Sequence, residues 1–248
     1  MKAPRFYAPE MSAESTKVVL PSDEANHLVR VLRLGVGDAV QVLDGRGLLR
    51  EAHVTSASKA GVTLGLGGQI AAAVESRVHL TLAQALLKGD KMDDVVRDAA
   101  MAGAGAIQPV ITAHTEPSVV RAAERRGERW RTIAIGSAKQ SGRAVVPSIA
   151  APVTLDAALA MPAGARVALV EPSAAGERST LRSLGDPPIS AFVFAGPEGG
   201  WSSEEVDAFA RAGAALVTLP GPTWRADAIG LIAIVLADIA WHGRDGWS

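Results

Sequence analysis

The chain has 248 residues, with 25 lysines and arginines against 26 aspartates and glutamates and 48% hydrophobic residues, a composition typical of a folded globular protein. It contains no cysteine, which excludes thiolate catalysis, disulfides and cysteine-ligated metal clusters. A formal net charge of −1 argues against a histone-like, wholly electrostatic nucleic-acid binder but leaves RNA binding open.

The first 70 or so residues predict a β-rich unit. Short strands are expected at residues 6–7, 17–20, 39–43, 50–55 and 62–66, with a turn at Asp44-Gly45. Their spacing is typical of a small barrel. One helix interrupts the strands, with Ser22 as its N-cap and Gly35 at its end.

Three basic residues on that helix, His27, Arg30 and Arg33, are spaced three apart and are therefore expected along one face. They form either an ordinary solvated face or a stripe that follows RNA phosphates. Spacing alone favours the solvated face.

A change of pattern marks a second domain. Glycines at 67–68 and alanines at 71–73 predict a linker, which divides the chain into domains at 1–72 and 73–248. Beyond it, strands are expected at 78–83, 106–112, 166–170, 189–195 and 214–219, and helices at 90–101, 124–140 and 226–241. The alternation predicts an α/β fold with a buried parallel sheet. Gly103 is expected to end its helix rather than to form a dinucleotide loop.

Several kinds of chemistry are not supported by any motif. The five histidines are scattered without HExxH spacing, so no metal site is expected. No nucleophile elbow and no P-loop are present. Residues 1–5 carry no apolar signal run, and the longest apolar stretch, residues 228–237, is too short to cross a bilayer. We therefore expect a cytoplasmic protein.

The loop Gly-Pro-Glu-Gly-Gly at residues 196–200 lies between a strand and a helix capped by Ser202 or Ser203. Ligands of open α/β sheets bind in such loops. Glu198 would repel a phosphate, so a neutral or cationic ligand such as S-adenosylmethionine fits better. A tight turn that only leads into a capped helix is the alternative.

A second loop, at residues 219–224, leads into Arg225 and the last helix. Two such loops can converge at one edge of a sheet. Arg225 has the wrong sign for a helix N-terminus, which favours a functional interpretation, whereas Asp227 suits the helix dipole and is interpreted as structural.

With these residues the chain resembles the bacterial 16S rRNA (uracil-N3) methyltransferases of the SPOUT superfamily. The resemblance covers nearly the whole chain and rests on residues 4–7, 26–33, 91–92, 140–143 with Pro147, 196–200 and 219–234. It implies a C-terminal, trefoil-knotted SPOUT methyltransferase domain with an N-terminal PUA-like β-barrel, and a homodimer without metal or membrane contact. It also implies a role in ribosome biogenesis, in which N3 of a uridine in 16S rRNA of the small ribosomal subunit is methylated from S-adenosylmethionine.

The resemblance also assigns site residues. It implies that Arg225 is catalytic. The cofactor-binding residues that it implies are Leu169, Phe194, Ala195, Gly196, Glu198, Gly199, Gly200, Leu219, Pro220, Trp224, Ile229 and Leu231. The RNA-binding residues that it implies are Arg5, His27, Arg30, Arg33 and Arg143.

The chain departs from the family pattern in its last motif. The family usually has Leu-Gly-Pro-Arg-x-Leu-Arg-Thr-Glu-Thr, whereas residues 219–228 lack the first arginine and place Asp227 where the glutamate stands. Asp98, Met101 and Lys139 depart from it as well. A different class of function is therefore also considered, a non-catalytic RNA-binding or ribosome-assembly factor. A third, a phosphate- or nucleotide-binding enzyme, is disfavoured by Glu198.

Overall fold

The computed structural model describes residues 3–58, 61–171, 184–219 and 224–242. The chain forms two compact units. The first unit comprises Met1–Glu75 together with Ile135–Val146, and the second comprises Ser76–Ala134 and Pro147–Ser248. The segment Ile135–Val146 therefore returns to the first unit from the middle of the chain, which the sequence pattern gives no reason to expect.

The first unit is built on a five-stranded sheet in the order β1-β3-β4-β5-β2. The strands are β1 (Arg5–Tyr7), β2 (Lys17–Val19), β3 (Ala39–Leu43), β4 (Leu49–Ser58) and β5 (Gly61–Gln69). Strand β1 is parallel to β3, and the remaining pairs are antiparallel. Gly67 and Gly68 lie inside β5, so the predicted linker at these glycines is wrong.

Alternation along these strands produces the core of the first unit. Its buried side chains include Phe6, Leu28, Val40, Val54 and Leu64. A smaller cluster joins Leu43 and Leu49 with Ala144 from the returning segment.

The helix of the first unit is shorter than predicted. It consists of α1 (Ser22–Asn26) and a π-helical continuation, His27–Val31. Pro21 occupies the cap position and no side chain caps the helix, so the prediction of Ser22 as the N-cap is wrong. Arg33 lies beyond the helix with a φ of 56°, a conformation rare for a non-glycine residue. The expected face of His27, Arg30 and Arg33 on one regular helix is therefore not formed.

The second unit contains a parallel sheet in the order β12-β10-β11-β6-β7-β8, with β9 also paired to β7. The strands are β6 (His79–Ala85), β7 (Ala106–Ile111), β8 (Ser148–Ile149), β9 (Val153–Thr154), β10 (Ala165–Leu169), β11 (Ser190–Ala195) and β12 (Ala215–Val217). Strand β6 is buried over almost its whole length, as expected of a parallel sheet covered on both faces. The predicted α/β architecture is confirmed.

Six further helices are α2 (Lys91–Ala102), α3 (Pro117–Glu124), α4 (Gly127–Ser141), α5 (Leu155–Ala160), α6 (Ser203–Arg211) and α7 (Ala226–His242). The helix predicted at 124–140 is confirmed as α4, which begins three residues later, whereas α3, with Pro117 in its first turn, was not predicted. The prediction for Gly103 is confirmed, since it ends α2 with a φ of 104°. Among the helices of the described residues, none is long and apolar enough to cross a membrane.

Candidate functional site

The carboxyl ends of four adjacent strands, β12, β10, β11 and β6, meet at one edge of the parallel sheet. The glycine loop at residues 196–200 follows β11, and the loop that enters α2 follows β6. This arrangement matches the place where open α/β sheets bind their ligands. We refer to the glycine loop, the start of α2 and the start of α7 as the loop site.

Two neighbouring glycines of the loop differ, since Gly199 is open and Gly200 is crowded. A Cβ added at Gly199 would meet no heavy atom within 4 Å. At Gly200 the φ is +74° and a Cβ would lie 3.0 Å from Oε1 of Glu171. The amide of Gly200 donates to the carbonyl of Pro197 at 3.1 Å, which closes the turn. A ligand can therefore approach the backbone at Gly199, while Gly200 supplies the turn geometry.

Trp201 fixes the other end of the loop. Its indole Nε1 donates to the carbonyl of Leu169 at 2.9 Å, which ties the loop after β11 to the end of β10. The ring packs edge-on against Phe209, with the centroids 4.8 Å apart. A Cβ at Gly196 would lie 3.1 Å from the same indole nitrogen. Sequence analysis did not single out Trp201, although an aromatic residue directly after a glycine loop was a signal available to it.

Glu198 is not a free charge in the loop. Lys91, at the start of α2, donates to its Oε1 at 2.7 Å, and the backbone amide of Lys88 lies 3.4 Å from the same oxygen. Burial raises the pKa of Glu198, but the bond from Lys91 and further hydrogen bonds outweigh this effect and hold the pKa below its ordinary value. Because the carboxylate is paired, the predicted preference for a neutral or cationic ligand loses much of its electrostatic basis.

The side chain of Gln84 contacts the backbone at the start of the glycine loop. It is fully buried at the end of β6. Its Nε2 lies 3.5 Å and 3.4 Å from the carbonyls of Ala195 and Gly196. Its Oε1 has no hydrogen-bond partner among the described residues, and a Cβ at Gly230 of α7 would lie 2.7 Å from it. Sequence analysis missed this residue because a single glutamine in an apolar strand forms no motif.

Arg225 and Asp227 form a two-pronged ion pair at the start of α7. Nε donates to Oδ1 at 3.0 Å and Nη2 donates to Oδ2 at 2.7 Å. The hydrogen bond between them raises the pKa of Arg225 and lowers that of Asp227. The Arg225 side chain is 77% exposed against 15% for Asp227. Asp227 therefore orients an exposed arginine as well as occupying the first turn of α7.

The predicted cofactor residues lie in different environments. Leu169 and Ala195 are buried at strand ends, and the ring of Phe194 packs into the core with its centroid 5.0 Å from that of Phe209. These residues can offer a ligand mainly their backbone. Ile229 and Leu231 lie half-buried in the first half of α7. Leu219 and Trp224 flank residues 220–223, and Pro220 lies outside the described residues.

Two of the predicted RNA-binding residues, Arg5 and His27, line an open groove of the first unit. The groove has a volume of about 350 Å³, and its lining includes Pro4, Arg5, His27, Leu32, Lys139 and Gln140, all of the first unit. Arg5 donates from Nε to Oε1 of Gln41 at 2.9 Å and from Nη1 to the carbonyl of Lys139 at 3.3 Å. We call this feature the first-unit groove.

The remaining RNA-binding candidates differ in accessibility. Arg30 and Arg33 are exposed. Arg143 is 3% exposed and forms an ion pair with Glu75 through Nη2, at 2.6 Å. Because this ion pair is buried, we interpret Arg143 as a structural residue and leave it out of the proposed RNA-binding surface. In the described part of the chain, no group of three or more histidine, cysteine, aspartate or glutamate side chains could hold a metal ion.

Comparison with known proteins identifies the family. A family model described as an RNA methyltransferase domain matches residues 74–237, and one described as an RNA methyltransferase PUA domain matches residues 20–66. The chain belongs to this family of RNA methyltransferases. The predicted PUA-like N-terminal domain and the predicted methyltransferase family are thereby confirmed.

Two relatives carry the same name, ribosomal RNA small subunit methyltransferase E. The Synechocystis protein is 32% identical over 80% of this chain and 65% of its own length. The Rickettsia conorii protein is 30% identical over 85% of this chain and 84% of its own. The chain thus matches slightly less than two thirds of the Synechocystis relative.

Solved structures share the fold over nearly the full length. The small subunit methyltransferase E of Neisseria gonorrhoeae, crystallised with S-adenosyl methionine, is 30% identical with a TM-score of 0.86. The match covers 96% of this chain and 98% of that one. The loop site described above therefore belongs to a fold that, in this relative, binds S-adenosyl methionine.

Proposed function

We propose that the protein transfers a methyl group from S-adenosylmethionine to N3 of a uridine in 16S rRNA of the small ribosomal subunit. One observation carries the proposal. The glycine loop after β11 leaves the backbone at Gly199 open to a ligand, in a chain whose 30% identical relative was crystallised with this cofactor. The identity of the acceptor atom rests on the family resemblance.

The residues of the loop site fit such a cofactor. Gly199 lets a ligand reach the loop backbone, and Leu219, Ile229 and Leu231 are partly exposed apolar side chains suited to an adenine ring. The pairing of Glu198 with Lys91 leaves little net charge, which suits a ligand that carries both signs. When bound, S-adenosylmethionine would supply an electrophilic methyl group, and the chain would hold it at Gly196, Gly199, Gly200 and the ends of β10 and β12.

Arg225 is the residue assigned to the acceptor. Its Nε and one Nη2 hydrogen are engaged by Asp227, which leaves both Nη1 donors and the second Nη2 donor for a ligand. We infer that these donors contact a phosphate or a uracil oxygen and favour the N3 anion electrostatically. Methyl transfer needs donor and acceptor in line and little covalent assistance, so positioning dominates. No general base is assigned.

RNA recognition is assigned to the first unit. Exposed Arg30 and Arg33 would bind phosphates, with Arg5 and His27 contributing from the first-unit groove. A base inside structured RNA must leave its stack before N3 can be reached. The assembled small subunit is therefore the proposed substrate.

A homodimer is also proposed, in the cytoplasm and with the knotted chain path of the superfamily. Helix α7 exposes apolar side chains, with Trp224 before it 45% exposed and Val235 and Ile239 38% and 43% exposed. An exposed apolar helix face supports an interface with a second copy. Analytical ultracentrifugation should show a dimer that Val235→Asp together with Ile239→Asp dissociates.

The test of activity is transfer of labelled methyl from S-adenosylmethionine to small subunits purified from a strain lacking this gene. Nucleoside analysis should then detect N3-methyluridine. Methylation at another atom would overturn the assigned acceptor. Binding to subunits without any transfer would favour instead the non-catalytic assembly factor, with the altered motif at 219–228 as the cause.

A further inference from the structure

The first-unit groove combines residues from two distant parts of the chain. Arg5 and His27 come from the N-terminal 75 residues, whereas Lys139 and Gln140 come from the last turn of α4 in the returning segment. The family model for the PUA domain matches residues 20–66 only. Three of these four polar residues, Arg5, Lys139 and Gln140, therefore lie outside the region that the domain model matches.

Arg5 is held in place with hydrogen-bonding capacity to spare. A guanidinium has five N–H donors. The contacts of Arg5 with Gln41 and the Lys139 carbonyl use one donor on Nε and one on Nη1. Both partners are neutral, so its charge is not cancelled. A Cβ at Gly142 would lie 2.8 Å from Nη1, so the glycine leaves room for this conformation.

An acidic residue that contacts the wall of the groove is already engaged. Glu24 is buried, and its Oε1 accepts from Nζ of Lys139 while its Oε2 accepts from the backbone amide of Tyr7 at 3.1 Å. It therefore has little capacity left to repel an anionic ligand. Lys139 in turn is fixed by this pair in the wall of the groove.

The rest of the groove provides a flat ring, an apolar side chain and a polar side chain that a base could contact. His27 is exposed and packs edge-on against Phe6, with the ring centroids 6.2 Å apart, which fixes its ring. Leu32 is 40% exposed, and Gln140 is exposed with a side-chain amide that can both donate and accept. A volume of about 350 Å³ lies within the range of sites for small ligands.

We propose that the first-unit groove binds one unpaired nucleotide of RNA, with the base against His27 and Leu32 and its edge bonded by Gln140 and Arg5. Single-stranded bases are recognised in this way, by stacking on histidine or arginine and by hydrogen bonds to their edges. The inference rests on the proposed function insofar as it takes the ligand to be RNA. It adds a specific subsite to which α4 contributes Gln140.

The experiment measures RNA binding by fluorescence anisotropy, without methyl donor. The probes are a short fluorescein-labelled oligouridylate and a labelled RNA duplex of equal length. Gln140→Ala should weaken binding of the single strand about three- to tenfold, the value of one lost hydrogen bond. The matched control is Gln69→Ala, the same change at an exposed glutamine in β5 outside the groove. It should bind like the wild type.

Two further variants separate shape from charge. Arg5→Lys keeps the charge and loses the planar fork, so affinity for the single strand should fall while the salt dependence is unchanged. His27→Ala should lower affinity about tenfold, and His27→Phe should restore most of it because the stacking surface returns. Irradiation of a thiouridine-labelled strand should crosslink peptides containing His27 or Gln140.

The outcomes are distinguishable. Equal affinity of wild type and Gln140→Ala for the single strand, or a preference for the duplex, would overturn the proposal. Binding that depends on Gln140 in a protein that transfers no methyl group would support the groove and refute the proposed enzymatic function. Methyl transfer with crosslinks confined to other parts of the chain would refute the groove alone.

Discussion

Basic side chains in the two functional regions have different partners. Around the loop site they are paired with carboxylates, as Lys91 is with Glu198 and Arg225 with Asp227, each at 2.7 Å. In the first unit, Lys139 and Arg143 are likewise paired with Glu24 and Glu75, but Arg5 bonds to an amide and a carbonyl oxygen and Arg50 bonds to backbone carbonyls. Arg30 is exposed. The loop site is therefore nearly neutral, whereas the first unit has positive charge available.

The difference shows what each region is suited to bind. A site with paired charges selects by shape and by backbone contacts, which suits a small ligand carrying both signs. Uncompensated arginines select a polyanion and release counterions when they bind it. How many basic residues a region has is therefore less informative than what its basic residues contact.

The largest expected effect tests Arg225. Replacing it with alanine should lower turnover about a hundredfold, the usual cost of removing a donor that stabilises developing negative charge. Affinity for S-adenosylmethionine, measured by calorimetry, should stay unchanged because Arg225 is exposed and directed to Asp227. Labelled methyl transfer to small subunits provides the measurement.

The control for this variant is Asp227→Asn, which keeps the size of the side chain and removes its charge. If Arg225 acts through its remaining donors, Asp227→Asn should lower turnover less than Arg225→Ala and leave the substrate KM nearly unchanged. Full turnover in Arg225→Ala would mean that the paired arginine has only a structural role.

The second prediction tests the uncompensated charge of the first unit. The double variant Arg30→Ala with Arg33→Ala should weaken binding to small subunits about tenfold and reduce the salt slope by about two. Cofactor affinity should be nearly independent of salt in wild type and variant alike. A cofactor affinity that falls as steeply with salt as RNA binding does would remove the distinction between the two regions.

Local signals in the sequence predicted local structure well. Gly103 ends α2 as expected, and Ser202 caps α6 while Glu205 bonds back to its amide at 2.8 Å. Both features depend on a few neighbouring residues, so the sequence contains all the information they need. The parallel sheet was predictable for a similar reason, since strands buried on both faces leave a continuous apolar pattern.

Contacts between distant residues were not predictable from spacing. Arg143 looks available in a polar motif, but it is buried against Glu75. Arg33 continues a helical spacing that ends at Val31 because the chain turns there with a left-handed backbone. Lys91 neutralises Glu198 across 107 positions. In each case the partner, rather than the residue type, decides the role.

The third prediction uses two neighbouring glycines of the loop site. Gly199→Ala should fold normally, since a Cβ there meets nothing within 4 Å, but should lower cofactor affinity severalfold by intruding where the ligand approaches. Gly200→Ala should instead cost about 1–2 kcal/mol of stability, because its φ of +74° is unfavourable for alanine. Calorimetry measures the cofactor affinity and urea unfolding measures the stability. Unchanged cofactor binding in Gly199→Ala would mean that the ligand binds elsewhere.

The smallest effect concerns the pH dependence of the Lys91–Glu198 pair. The pKa of Glu198 in the folded protein lies below its ordinary value, because the bond from Lys91 outweighs the opposing effect of burial. Because the pKa of Glu198 is lowered by folding, its carboxylate stabilises the fold at pH values above its ordinary pKa. That contribution is lost as the pH falls through the pKa of the folded protein. Both side chains are about one third exposed, so solvent screens the pair.

Urea unfolding of wild type, Glu198→Gln, Lys91→Met and the double variant isolates this contribution as a coupling free energy. We expect about 0.2–1 kcal/mol at neutral pH, as for exposed pairs, and less at high salt. The coupling should disappear once the pH is low enough to protonate Glu198 in the folded protein. A coupling that persists there would show that packing rather than charge joins the two side chains, and the loop site would then no longer count as neutralised by ion pairing.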